Sequence, residues 1–215
     1  MTEKEKMLNG MVYSAVDKQL LEELNAVKEV IHRYNTLSPA DNAARLDILK
    51  GLLGHIADDE IIINQPFYCD YGKQIRVGKR FFANFNFTVQ DDGPVTIGDN
   101  CNFGPNCTIV TPLHPMLPDE RFAMLNEKGE QVRLCYAKPV VIGNDCWFGA
   151  NVVVLPGVTI GNNCVIGAGS VVVKSIPDNS FAAGNPAKVI RTLTEADSMV
   201  NKPEILGDNQ VIPKE

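Results

Sequence analysis

The run Thr111-Pro112-Leu113-His114-Pro115 sets an imidazole between prolines that limit the backbone freedom around it. An imidazole titrates near neutrality, so a positioned histidine suits removal of a proton from a hydroxyl, although a lone histidine is often a satisfied structural residue. Glu130, further along the same stretch, either orients His114 or solvates its loop. Trp147, the only tryptophan, follows a residue expected to point inward, so it should face outward as a subunit contact or a ligand wall. Toward the C-terminus Lys174, Lys188 and Arg191 offer cations suited to an anionic ligand, with surface solvation as the plainer reading. No CxxC spacing or Cys/His cluster points to zinc.

What must position these groups is a six-residue period. Every sixth residue from Ile142 gives Phe148, Val154, Ile160, Ile166 and Val172, and four residues after each come Cys146, Val152, Val158, Cys164, Ser170 and Ile176. A period of six fits neither a helix nor a free strand. It fits a coil of three short strands, in which both columns point into a prism and glycine or asparagine takes the corners. The pattern extends upstream through Val77, Ala83 and Val89, with Phe81 and Phe87, and through Ile97, Phe103 and Ile109, with Cys101 and Cys107. The phase slips by two residues at Asp91-Asp92-Gly93-Pro94 and again at an excursion over 110–139, which contains His114 near its start. A connection of that length inside a compact fold is usually functional or disordered.

The chain has 215 residues, 45% hydrophobic and 21% charged, which predicts one domain with appendages. A net charge of −6 argues against a nucleic-acid surface. No apolar stretch has the length of a membrane span, and Met-Thr-Glu-Lys-Glu-Lys carries no signal core, so a cytoplasmic location is expected. Cys101, Cys107, Cys146 and Cys164 fall in the inward columns, where they read as small apolar fillers.

Before the repeats, Thr2 to Glu5 reads as a capping box for a short helix ending near Asn9-Gly10. Leu20, Leu21, Leu24, Val27, Ile31 and Tyr34 predict a second helix from Asp17 to about Asn35. Ser38-Pro39 reads as the start of a third, carried to Gly54 by Leu46, Ile48, Leu49, Leu52 and Leu53. His32 and His55 are placed in these helices as structural residues, and the helices are expected to cap the strand edges of the first coil. The expected organisation is a helical cap over 1–60, a β-helix over 61–191 and a polar tail over 192–215.

Cys-Asp-Tyr-Gly at 69–72, Phe-Phe-Ala-Asn-Phe-Asn at 81–86, Ile-Gly-Asp-Asn at 97–100, His114-Pro115 and Gly184-Asn185-Pro186-Ala187 occur in order behind the helical cap. This set resembles the maltose and galactoside O-acetyltransferases over nearly the whole chain to about Arg191. The resemblance implies a mainly β fold, a left-handed parallel β-helix of hexapeptide repeats, working as a homotrimer with active sites between subunits. It implies acetyl-CoA as cosubstrate, no metal, and a sugar hydroxyl as acceptor, with His114 as the general base. Asp70, Asn84 and Asp92 are implied at the acceptor; Asn84, Trp147, Ala150, Ala168, Val173, Lys174, Lys188 and Arg191 are implied along acetyl-CoA.

The chain departs from the family pattern in three places. Phe82 stands where relatives often carry tyrosine, Lys188 replaces a common arginine, and Glu23-Leu24-Asn25-Ala26-Val27-Lys28 stands where relatives commonly carry basic residues, so no acceptor residue is assigned to that helix. The competing readings are a hexapeptide acyltransferase with serine or an antibiotic hydroxyl as acceptor, and a β-helix that transfers no acyl group. A zinc carbonic anhydrase of this fold needs three histidine ligands, and the repeat region holds only His114.

Overall fold

Short parallel strands wind into a three-sided solenoid in the computed structural model, which describes residues 1–122 and 124–207. A first face stacks Phe67–Cys69, Phe87–Gln90, Thr108–Val110, Val153–Val154 and Val171–Val172. A second stacks His55–Ile56, Ile75–Val77, Val95–Ile97, Val140–Ile142 and Thr159–Ile160. The third runs from Ile62–Ile63 through Phe82–Ala83, Asn102–Phe103, Trp147–Phe148 and Val165–Ile166 to Ser180–Gly184, and closes with antiparallel Ala187–Thr192.

The register explains the period. Val141 pairs with Thr159, so a regular turn takes 18 residues, three strands of six. Ile75 pairs with Val95, and the two extra residues of that turn fall at the predicted slip around Asp91–Pro94. Val95 pairs with Val140, and this longest turn carries the excursion. Both inward columns are buried throughout, including Ile142 to Val172 and Cys146 to Ile176, and all six cysteines are buried and free. Phe103 and Phe148 stack inside the prism at 4.2 Å, with Phe87 next to them at 5.0 Å from Phe103. At the corners Asn86, Asn106 and Asn151 take positive φ, and their amides form a ladder of 2.9 and 3.1 Å hydrogen bonds. Asparagine tolerates that backbone because its short side chain bonds locally.

The helices α1 (Glu3–Leu8), α2 (Lys18–Thr36) and α3 (Asn42–Leu52) precede the strands. Thr2 and Glu5 form the expected capping box, and Asp17 caps α2. The start of α3 differs from expectation: Asp41, not Ser38, caps it by accepting from the Ala44 N–H at 3.1 Å. Ser38 instead closes a preceding turn through its carbonyl, which accepts from Asp41. His55 likewise lies outside the helix, in the strand His55–Ile56.

Helices α2 and α3 cover the first coil as predicted, packing Ile31, Tyr34, Leu49 and Leu52 against Ile63 and Phe67. They also satisfy its strand edge. Tyr34 Oη and Arg45 Nη2 both donate to the Ile63 carbonyl at 2.6 Å, while Asn35 exchanges hydrogen bonds of 2.9 and 2.8 Å with the Phe67 backbone.

The excursion is structured. It leaves as Pro112–Leu113, passes a short helix at Pro118–Phe122, and returns as Leu134–Ala137, which pairs antiparallel with the outgoing strand. The other edge of Leu134–Ala137 pairs with Tyr13–Ser14, so the chain's N-terminal segment completes a three-stranded sheet. In the tail, two 3-10 turns and a short helix, Pro203–Leu206, follow Thr192; residues 208–215 lie outside the described residues.

Candidate active site

Three successive turns place polar residues at the corner that follows the first face. Phe67–Cys69 leads into Asp70, Phe87–Gln90 into Asp91 and Asp92, and Thr108–Val110 into Thr111 and then His114. Because the strands are in register, these residues stack along one edge of the prism. Asp91 is wholly buried, and its carboxylate accepts the N–H groups of Asp70 at 3.0 Å, Tyr71 at 2.9 Å and Gln74 at 3.4 Å. Burial outweighs those amides and pushes its pKa up to about 6. Asp70 is pushed up to about 7, by burial first and then by the charges of Asp92 and Asp91, with Lys28 of α2 acting in the opposite sense.

A stability prediction follows from these two carboxyls. Both hold their protons more tightly folded than unfolded, so stability should fall as pH rises from about 4 to about 7. Glu3, Glu23 and Asp197 have lowered pKa values, and their contribution is lost only at more acid pH. The melting midpoint should therefore rise between pH 7 and pH 5, and Asp70→Asn should flatten that rise. A midpoint that drops steadily over the interval would contradict the assignment.

His114 is exposed, at the start of the excursion, and its Nδ1 lies 3.0 Å from the Leu134 carbonyl oxygen. A carbonyl only accepts, so Nδ1 carries a proton, and in the neutral ring the lone pair is on Nε2. Leu134 sits in the middle strand of the small sheet, which fixes this orientation. Thr111 anchors the base of the loop: its buried hydroxyl donates to the Gln90 carbonyl at 2.7 Å and accepts the Gly93 N–H at 2.8 Å. Glu130 does not orient His114. Its carboxylate accepts from Asn126 at 2.8 Å within the loop.

The remaining sequence-selected residues fall elsewhere. Asn84, Ala150 and Ala168 each follow a strand of the third face, so they share the corner before the first face. Here a Cβ on Gly149 would meet the Ala168 nitrogen at 2.6 Å, which keeps that position a glycine. Asn84 Oδ1 accepts its neighbour Phe85's N–H at 2.8 Å and leaves the side-chain amide nitrogen as a donor. Trp147 is 58% exposed on the third face, as its place in the repeat requires. Val173 and Lys174 are exposed at the same corner as Asp70 and His114, but further along the axis. Lys188 is exposed on the closing strand, whereas Arg191 is engaged by Asp197 at 2.6 and 2.7 Å and stacks over Phe181.

In one chain Asp70, Asp92 and His114 thus follow strands of the first face, whereas Asn84, Ala150 and Ala168 follow strands of the third face and lie at the opposite edge of the first. Four groups near this corner were given no role by the sequence reading: Tyr13, Lys28, Asp91 and the Leu134 carbonyl. Only Asp91 left a signal, an acid two places after the inward Val89 where the phase slips.

Comparison with known proteins places this architecture. Residues 6–57 match the maltose acetyltransferase hexapeptide capping motif. Residues 94–113 match the hexapeptide repeat of succinyl-transferase, and 139–174 the bacterial transferase hexapeptide of six repeats. A crystal structure of a maltose O-acetyltransferase from Clostridium difficile 630 is 42% identical, over 91% of this chain and 99% of its own, with a TM-score of 0.81. A galactoside acetyltransferase in complex with coenzyme A is 36% identical over 92% of this chain and 94% of its own, with a TM-score of 0.82. A hexapeptide-repeat acetyltransferase of Vibrio cholerae O1 biovar eltor, complexed with acetyl coenzyme A, is 32% identical over 91% of this chain and 100% of its own, with a TM-score of 0.78. With identities above 30% over nine-tenths of its length, the chain belongs to the maltose/galactoside O-acetyltransferase family of hexapeptide-repeat acyltransferases.

Proposed function

We propose that the protein transfers the acetyl group of acetyl-CoA to a hydroxyl of a sugar of maltose, glucose or galactoside type, at sites formed between the subunits of a homotrimer. The observation that carries this reading is the 3.0 Å contact of His114 Nδ1 with the Leu134 carbonyl, which puts the lone pair of the neutral ring on Nε2, at the corner that also carries Asp70 and Asp92. Acetyl-CoA supplies an activated acyl carbon as a thioester. His114 Nε2 takes the proton of the acceptor hydroxyl as its oxygen bonds to that carbon, and gives it back to the sulfur as the carbon–sulfur bond breaks. Asp70 and Asp92 bind the neighbouring hydroxyls of the acceptor, for which carboxylates are strong acceptors.

The separation of the two corners supports the trimer. Asn84, Ala150 and Ala168 of one subunit face His114, Asp70 and Asp92 of the next, and coenzyme A lies along the groove between them. Trp147 forms one wall, with Val173, Lys174 and Lys188 toward the phosphates, and Arg191 joins them only by leaving Asp197. Six free cysteines and a thioester cosubstrate suit a reducing, cytoplasmic setting. No described helix is long and apolar enough to cross a membrane.

Thiol release from acetyl-CoA, followed spectrophotometrically against galactosides, maltose, glucose, serine and aminoglycosides, tests the acceptor. Faster release with the sugars supports the proposal; release with serine or an aminoglycoside alone assigns the other acceptor class.

A further inference from the structure

Tyr13 lies 79 residues before Asp92 in sequence, and its hydroxyl donates to Asp92 Oδ1. The ring is 1% exposed, packed with Met7, Leu20, Tyr71 and Cys135 in a small core separate from the prism. Burial and the Asp92 charge both raise the phenol's pKa, so the group stays a neutral donor with its single proton committed to the carboxylate. Asp92 itself is half-buried and reaches the acceptor corner.

The same residue supports His114 through the backbone. Tyr13 pairs with Cys135 and Ser14 with Leu134, and the Ala15 N–H donates to the Arg133 carbonyl at 2.8 Å. This edge strand therefore holds the strand whose Leu134 carbonyl sets the imidazole tautomer. One residue near the N-terminus thus touches both halves of the acceptor corner, by its hydroxyl and by its strand.

Resting on the function proposed above, we propose that Tyr13 is a positioning residue for acetyl transfer. It orients Asp92 toward the acceptor, and the strand Tyr13–Ser14 is part of the catalytic scaffold. A carboxylate without this donor can rotate about its χ torsions, and misplaced acceptor hydroxyls lose the alignment that attack on a thioester needs.

The test is a double-mutant cycle on the full-length enzyme with acetyl-CoA and either methyl galactoside or maltose. Tyr13→Phe keeps the buried ring and removes the hydroxyl. It should lower kcat/KM for the acceptor by about tenfold or more, while the KM for acetyl-CoA and the circular dichroism spectrum stay unchanged. Asp92→Asn should lower the same parameter, and adding Tyr13→Phe to it should cost little more, because the phenol acts through that carboxylate. Losses that multiply fully in the double variant, or a Tyr13→Phe enzyme with wild-type acceptor kinetics, overturn the Tyr13 proposal and leave the acceptor role of Asp92 standing. An Asp92→Asn enzyme with wild-type acceptor kinetics overturns that role and the Tyr13 proposal with it.

Discussion

His114→Ala should lose about 10²- to 10⁴-fold in turnover, the range that a positioned general base contributes, while coenzyme A binds nearly as before. A sugar hydroxyl is almost wholly protonated at neutral pH, so its attack on a thioester depends on a group that takes the proton as the bond forms. Nδ1 of His114 is engaged at 3.0 Å by the Leu134 carbonyl, so in the neutral ring the lone pair is on Nε2. Coenzyme A, in contrast, is assigned to groups at Ala150, Ala168 and Lys174 that the substitution does not touch. The side chain is exposed, so its removal opens no cavity in the prism and the fold should be retained. Steady-state transfer and calorimetric titration of coenzyme A on one preparation separate the outcomes. A loss in turnover below about tenfold would remove His114 from the role of base.

Recovery of activity in mixed trimers has the second largest expected effect. Asn84 and His114 sit at opposite edges of the first face, so a site that uses both draws them from neighbouring subunits. Asn84→Ala and His114→Ala homotrimers should each be strongly impaired. In a cyclic trimer that contains both variants, whatever the ratio, one of its three interfaces joins an intact Asn84 to an intact His114. Mixed trimers purified through two different tags should therefore recover about one third of wild-type turnover. Turnover no higher than that of the parent variants would show that the site does not draw these two residues from different copies.

Much of this was legible because the solenoid repeats one decision many times. A residue such as Val154 or Cys146 is inward because of its place in a six-residue step, and each turn confirms the last. The exposed Trp147 was readable for the same reason, as was the excursion that breaks the step. Local signals at helix ends were less decisive. Ser38-Pro39 and Asp41 both look like starts, and the Asp41 carboxylate took the cap by reaching the Ala44 N–H, while the Ser38 carbonyl closed the turn before it.

Contacts between distant segments left no such trace. Tyr13 to Asp92 depends on an edge strand of two residues meeting the returning arm of the excursion, and neither has a period to read. Arg191 was selected for its charge, and only the folded tail shows that Asp197 holds it. The orienting partner of His114 is a backbone carbonyl, which any residue at position 134 would present, so composition carried no hint of it.

In the proposed reaction the acetyl group ends on a sugar hydroxyl through the action of His114. Carbon-13 NMR of the product, made from acetyl-CoA labelled at the carbonyl carbon and a galactoside or maltose, tests it directly. An ester carbonyl resonance on one sugar hydroxyl is expected, formed in step with thiol release by the wild-type enzyme and nearly absent with His114→Ala. Thiol release that yields only free acetate, or an ester formed as fast by the His114→Ala enzyme, would contradict it.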